Sequence, residues 1–429
     1  MRVHGIVRRP AIWYVPRSKM SFGLLTGGLV LAGIAAAGPS AAAAGPSTGS
    51  TVTAAATAAA TARTVAPTHR FAAPDGGQRD EFGRSVALSG PTAVVGAPNH
   101  AGFAGGVYVY ARSGGTWALN TELANPAGSA QDAFGSSVAV SGNTVVVGAP
   151  QNAGLTGVAY VFVRSVAHWV LQATLTAPGA APYAEFGYTV AVSGDTAFVS
   201  MKNINSAVPA GVYVFHRSQG SWALETTLES PSGAGMFGQS LAASGSTLVV
   251  GAPFADPQQT GSAYVYTDGV SGWTPAATLS GADTSIGDEF GWSVSVSGDV
   301  VVVGSLYHAT TGQAYVFTRS GAVWTQTAEL IGSDSVLGDE FGTSVGASAG
   351  MIVVGAPRAP RTWNKNRGVA YVFTLSGGVW VQTARLVPKV RPVAGYFAMS
   401  MSTSGARVIL GELGANQDTG LAYLFRPLG

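Results

Sequence analysis

The sequence has no cysteine and little charge, and both shortages narrow what it can be. Across 429 residues the cysteine count is zero, which excludes disulfides and cysteine-ligated zinc. Charged residues make up 10% while glycine numbers 59. That balance suits short strands and tight turns, because glycine weakens helix interiors and supplies the positive φ that turns need. A basic surface is missing too. Residues 1–70 hold seven basic residues and no acidic one; without them 16 basic residues face 21 acidic ones, a charge of −5 for the remainder. A mildly acidic body does not suit nucleic acid, whose phosphates demand concentrated positive charge. Catalytic signatures are absent as well: six dispersed histidines, no HExxH, no GxSxG and no phosphate-cradling glycine loop.

What the sequence does contain is repetition. Phe82, Phe134, Phe186, Phe237, Phe290, Phe341 and Phe397 are each followed fourteen residues later by a small residue: Gly96, Gly148, Ser200, Gly251, Gly304, Gly355 and Gly411. The steps between the aromatics are 52, 52, 51, 53, 51 and 56 residues. A period near fifty written seven times indicates a repeat architecture. Each unit divides into four strand-like pieces: a small/apolar alternation (Ser137 to Val140), a β-branched run into Gly-Ala-Pro (Val145 to Pro150), an aromatic pair (Tyr160, Phe162), and a piece running from Trp169 to Leu175. Turns such as Ser141-Gly142-Asn143 favour primed hairpins. Seven such units describe an all-β, seven-bladed propeller of four-stranded antiparallel blades.

The count at the ends predicts how the ring closes. Tyr423 calls for a tryptophan nine residues on, as in the six earlier units, but the sequence stops at Gly429. Counting back from Phe82 puts Val65 and Phe71 where Trp and Leu stand elsewhere. The segment Thr64 to Phe71 is therefore expected to supply the outer strand of the last blade, which removes exposed edges.

Ahead of the repeats, residues 1–37 combine a basic cluster with the apolar run Ser21 to Ala37. This is the form of a signal peptide, with cleavage between about residues 37 and 44; an uncleaved anchor is the alternative, since 17 residues is the short limit of a span. Residues 38–63, rich in Ala, Thr, Ser, Gly and Pro, read as a disordered linker, and residues 64–429 as the propeller. The expected location is secreted or cell-surface, with no membrane contact beyond that first segment.

Phe-Gly at Phe134-Gly135, Phe237-Gly238, Phe290-Gly291 and Phe341-Gly342, each paired downstream with Gly-Ala-Pro or a relative, resembles the FG-GAP repeat. This is the unit of the integrin alpha-subunit N-terminal propeller and of many bacterial secreted proteins. The resemblance implies the propeller fold and, in many members, Asp/Asn-rich calcium loops between the two motifs. Here that connection is a short turn with at most one acidic or amide residue, as at Asn143, Asp195 and Asp299. Calcium takes six or more oxygens, so no metal and no cofactor is expected there. The acidic residues before the aromatics (Asp80-Glu81, Asp132, Glu185, Asp288-Glu289, Asp339-Glu340) read as solvated or backbone-capping loop residues.

In an up-and-down blade the first-to-second and third-to-fourth connections share one end, and the others share the opposite end. The first set is constant in length; the second varies, from 11 to 16 residues between the glycine corner and the tyrosine. Loops that tolerate change carry function, so the variable end is the expected binding face. Its longest connection holds Trp363 with Arg358, Arg361, Lys365 and Arg367, suited to a sugar ring, an aromatic side chain or an acidic partner. The alternative is a Trp363 folded back on its blade among solvated cations. Tyr307 and His308, then Asn99, His100 and Phe103, are further candidates, while the six in-register tryptophans read as packing residues. The expected function is a monomeric module that binds an extracellular protein or glycan without chemistry of its own. Alternatives are a carbohydrate-active hydrolase or lyase, whose paired carboxylates would converge from neighbouring loops, and a structural envelope component.

Overall fold

The structure, a computed structural model, describes residues 62–428 apart from 167, 203–209, 232–234, 256–257, 349, 360–366, 389–394 and 416–418. The expected signal segment, nearly all of the linker, and Arg361, Trp363 and Lys365 lie outside the described residues.

The described chain forms seven antiparallel sheets, one per repeat, making the seven-bladed propeller. The second blade is representative: Ser137–Ser141, Thr144–Ala149, Val158–Ser165 and His168–Leu175 pair in chain order. Its second strand, Thr-Val-Val-Val-Gly-Ala, is buried throughout, as a β-branched run enclosed on both faces must be. Gly142 carries the positive φ of the first hairpin turn, at 55°. Each of the six pairings between third and fourth strands slips once at a bulge, as between Leu171 and Ala173, which adds twist to the outer strand. No described helix is long and apolar enough to cross a membrane.

The recurring aromatic is the centre of each blade's packing. All seven are buried, and each meets the aromatic pair of its own third strand; Phe134 stands 5.8 Å from Tyr160 and 6.1 Å from Phe162, both edge to face. The in-register tryptophans pack on the core as expected: Trp117 and Trp273 are buried, and Trp169, Trp222, Trp324 and Trp380 lie half-buried against core clusters.

Glycine is required where blade meets blade. A Cβ on Gly148 would lie 2.0 Å from the Gly187 carbonyl oxygen of the next blade, and one on Gly157 would lie 2.1 Å from the Phe186 carbonyl oxygen. This closeness allows a hydroxyl latch. Ser85, Ser137, Thr189, Ser240, Ser293, Ser344 and Ser400 each donate to the carbonyl of the residue following the next blade's aromatic, at 2.6–3.0 Å. Phe-Gly and Gly-Ala-Pro are thus the two sides of one inter-blade joint.

The ring closes through the N-terminal segment, in two pieces. His69–Phe71 pairs antiparallel with Leu421–Phe425 of the seventh blade, and Phe71 faces Ala422 as Leu175 faces Ala159. Val65 departs from its expected place opposite the seventh blade. Arg63–Val65 instead adds in parallel to the outer strand Val379–Leu386 of the sixth blade, with Val65 opposite Leu386. Pro67 stands between the two pieces and has no N–H to continue a single ladder. Arg63, assigned to the linker by composition, is therefore already in a strand, and its guanidinium donates to the Pro427 carbonyl.

Candidate functional site

The two ends of the propeller differ in chemistry. At the end with constant turns, several polar residues are engaged with one another. Arg217 donates from Nε to Asp195 at 2.8 Å, Arg319 does the same to Asp299 at 2.8 Å, and the Gly142 and Gly194 amides donate to Ser89 and Ser141 of the preceding blade at 3.1 Å. Asp195 and Asp299 thus face cations of this chain.

At the variable end the connections are tied together by backbone. The Ala133 and Phe134 amides donate to Phe103 and Ala104 of the preceding blade, and the Glu185 and Phe186 amides to Leu155 and Thr156. The loops form a braced surface, with the aromatic side chains that remain exposed standing on it. Phe103 (47%), Tyr183 (51%) and Tyr307 (41%) are the exposed aromatics among the described residues, and all three lie on connections of this end.

Three of the aspartates before the aromatics cap backbone, one of the two roles the sequence suggests. Asp80 accepts from the Gly77 amide at 2.7 Å, Asp288 from Ser285 at 2.6 Å and Asp339 from Val336 at 2.9 Å; Asp132 accepts from the Asn125 side-chain amide at 2.8 Å. Two of these aspartates also orient a histidine. His100 Nδ1 lies 2.8 Å from Asp80 Oδ2 and its Nε2 lies 3.5 Å from Asp75; His308 repeats the pattern with Asp288 at 2.8 Å and Asp283 at 3.4 Å. The distal aspartates are fixed by phenols, Tyr108 to Asp75 at 2.8 Å and Tyr315 to Asp283 at 2.7 Å. Burial, followed by the bond to the aspartate, pushes both phenols above their ordinary pKa.

The sequence-predicted residues separate accordingly. Tyr307 is exposed beside His308, whose ring is buried and held between its two aspartates. Arg358 pairs with Glu340 at 3.1 Å, and the Arg367 carbonyl accepts from Phe397. Asp75 and Glu122 are functional candidates that sequence reading passed over. With His100 they form the one group among the described residues whose potential metal-ligand atoms all lie within 4.8 Å of one another. A signal existed, since the fifth unit repeats the 25-residue step from aspartate to histidine as Asp283 and His308, with Glu329 following 21 residues on where Glu122 follows His100 by 22.

A second departure lies between the third and fourth blades, where Ser200-Met201-Lys202 replaces Gly-Ala-Pro. Lys202 Nζ sits 4.4 Å over the Tyr188 ring. Burial lowers its pKa to about 8 against the opposing pull of Glu185, whose own carboxyl burial raises.

Comparison with known proteins finds a match to the family model described as FG-GAP repeat at residues 67–110, 117–162, 169–215, 227–266, 273–317 and 324–373, more than half of the chain. The first of these stretches begins just before the closing strand His69–Phe71 and ends in the first blade's third strand, so this match straddles two blades. No curated protein matches the chain.

Proposed function

The chain belongs to the FG-GAP repeat family, and on that premise we propose that it is a secreted or cell-surface interaction module. It recognises an extracellular protein or glycan through the end that carries the variable connections, acts as a monomer and performs no chemistry of its own. The observation that carries this reading is the placement of Phe103, Tyr183 and Tyr307, the exposed aromatics, on that one end. Exposed aromatic side chains on a braced backbone lose little entropy on binding and dominate interface energetics. At the opposite end the turns are short and two of their carboxylates, Asp195 and Asp299, pair with arginines of this chain, which suits a scaffold.

The long sixth connection joins this surface in the proposal. Arg358 and Arg367 flank Trp363, Arg361 and Lys365 in sequence, and an indole among cations suits sugar rings or acidic, aromatic-bearing peptides. The test is capture of extracellular proteins and glycans from an array by the intact chain, alongside a reducing-sugar assay. Capture without turnover, weakened in Trp363→Ala and Tyr307→Ala, supports the module. Release of sugar by the wild type, abolished by substituting loop carboxylates, replaces it with a carbohydrate-active enzyme. Capture unaffected by either aromatic substitution moves recognition elsewhere.

A further inference from the structure

The first, fifth and sixth blades build the same corner from different residues, and the differences point to one ligand. Each has an aspartate seven residues before the recurring aromatic: Asp75, Asp283 and Asp334, each accepting from the tyrosine of its third strand at 2.7–2.9 Å. In the sixth blade the charge is compensated inside the protein, because Arg385 pairs with Asp334 at 2.8 Å and Ala359 takes the histidine's place. In the fifth blade the histidine is present, and the third acid, Glu329, accepts from Gln313 at 3.2 Å and Gln326 at 2.7 Å. In the first blade these two glutamines are replaced by Gly106 and Leu119. Glu122 thus meets Asp75 and His100 with neither amide at hand.

The imidazole of His100 is oriented for coordination. Asp80 Oδ2 already accepts from a backbone amide, and as a carboxylate it takes the Nδ1 proton of His100. With its proton on Nδ1, the ring presents Nε2 toward Asp75 Oδ2, 3.5 Å away. A lone pair and two carboxylates that converge make a donor set for a divalent cation, which competes there with the proton that would pair His100 with Asp75. Two ligand atoms about 2.0–2.1 Å from a tetrahedral zinc ion stand roughly 3.3 Å apart, close to the 3.5 Å between His100 Nε2 and Asp75 Oδ2, and the atoms of all three residues lie within 4.8 Å of one another. A side chain at position 106 would stand against the group, since a Cβ there would lie 3.2 Å from the His100 ring and 3.5 Å from Glu122 Oε1.

We propose that Asp75, His100 and Glu122 form a binding site for one divalent transition-metal ion of the zinc class. Asp80 and Tyr108 are the positioning residues that hold the imidazole and the Asp75 carboxylate, the arrangement by which outer residues tune metal ligands. One nitrogen and two oxygens favour zinc, cobalt or nickel over calcium, which takes oxygen ligands in larger number. The site lies on two variable-end connections and the outer strand Thr116–Leu123 of the first blade, apart from the hairpin turns where the family's calcium loops would stand. It is independent of the partner proposed above.

Calorimetric titration of the chelator-treated intact chain with zinc chloride tests this, with cobalt absorption as a second readout. The expected result is one zinc ion per chain with tetrahedral cobalt bands. Glu122→Gln and Gly106→Gln, the latter installing the fifth blade's amide, should each weaken zinc by about tenfold or more. His308→Gln should leave it unchanged, and circular dichroism should confirm folding of every variant. No zinc uptake by the wild type, equal uptake in Glu122→Gln and Gly106→Gln, or loss in His308→Gln overturns the proposal.

Discussion

Ser400 donates its hydroxyl hydrogen to the Gly83 carbonyl oxygen at 2.7 Å, joining two residues 317 positions apart and making the seventh copy of a latch used at every blade junction. Gly83 accepts this bond at φ 91°, and a Cβ on it would lie 2.5 Å from the Leu421 carbonyl oxygen. Ser400→Ala therefore leaves a carbonyl without its donor and is expected to cost about 1–3 kcal/mol. Gly83→Ala adds backbone strain to the close approach and should cost more. Thermal unfolding of the two variants beside Ser344→Ala, which cuts an interior latch, checks the expectation; equal stability of Ser400→Ala and wild type contradicts it.

Closure also rests on Phe71, which is 1% exposed and packs 4.7 Å from Tyr110 and 5.7 Å from Trp117 of the first blade. Phe71→Ala is expected to lose about 3–5 kcal/mol. Removal of residues 64–71 should lower the melting temperature and produce oligomers, because the edge of Leu421–Phe425 is then unpaired. Light scattering coupled to a melting curve reads both effects, and an unchanged monomer with unchanged melting rules out this closure.

The constant turns should ignore calcium. Asp195 and Asp299 already pair with Arg217 and Arg319, and one carboxylate per turn falls short of calcium's six or more oxygens. Millimolar calcium is expected to leave the melting temperature within about a degree of its metal-free value; a rise of several degrees shows a coordination sphere missing from this account.

Lys202 gives a pH dependence whose sign follows from burial. Its folded pKa of about 8 lies below the ordinary value of 10.5, so between the two the unfolded chain binds more protons. Stability from this group accordingly rises as pH increases through that window and is at its lowest below pH 8. Lys202→Met should be stabilised relative to wild type at pH 7, with the advantage shrinking toward pH 10. Denaturant unfolding of both proteins at pH 7, 8, 9 and 10 measures this. A constant difference across the series contradicts it.

Much of the fold was legible because the recurring residues serve a local geometry. The fourteen-residue interval from Phe134 to Gly148 is one hairpin, and the step from Phe134 to Phe186 is one blade. The latch was hidden: Ser137 and Gly187 meet across a junction, and their spacing resembles ordinary repeat phase. The closing segment was half legible, since Phe71 carries the size of the leucine it replaces, whereas Val65 pairs with a neighbour that periodicity does not specify. Asp75 and Glu122 were passed over, and His100 was noticed without them, because the three come from two connections and an outer strand. Their meaning emerges when the first unit is set against the fifth, where Gln313 and Gln326 satisfy the equivalent acid.

The central functional claim is that recognition belongs to the variable end while the constant end is scaffold. It is tested most directly by measuring affinity for a captured protein or glycan with two sets of substitutions: Phe103→Ala, Tyr307→Ala and Trp363→Ala at one end, Asn143→Ala, Asp195→Ala and Asp299→Ala at the other. The account predicts that at least one aromatic substitution weakens binding about tenfold or more, the loss of roughly 1.4 kcal/mol, while each turn variant binds within about twofold of wild type. Binding that survives all three aromatic substitutions and fails in a turn variant would contradict it.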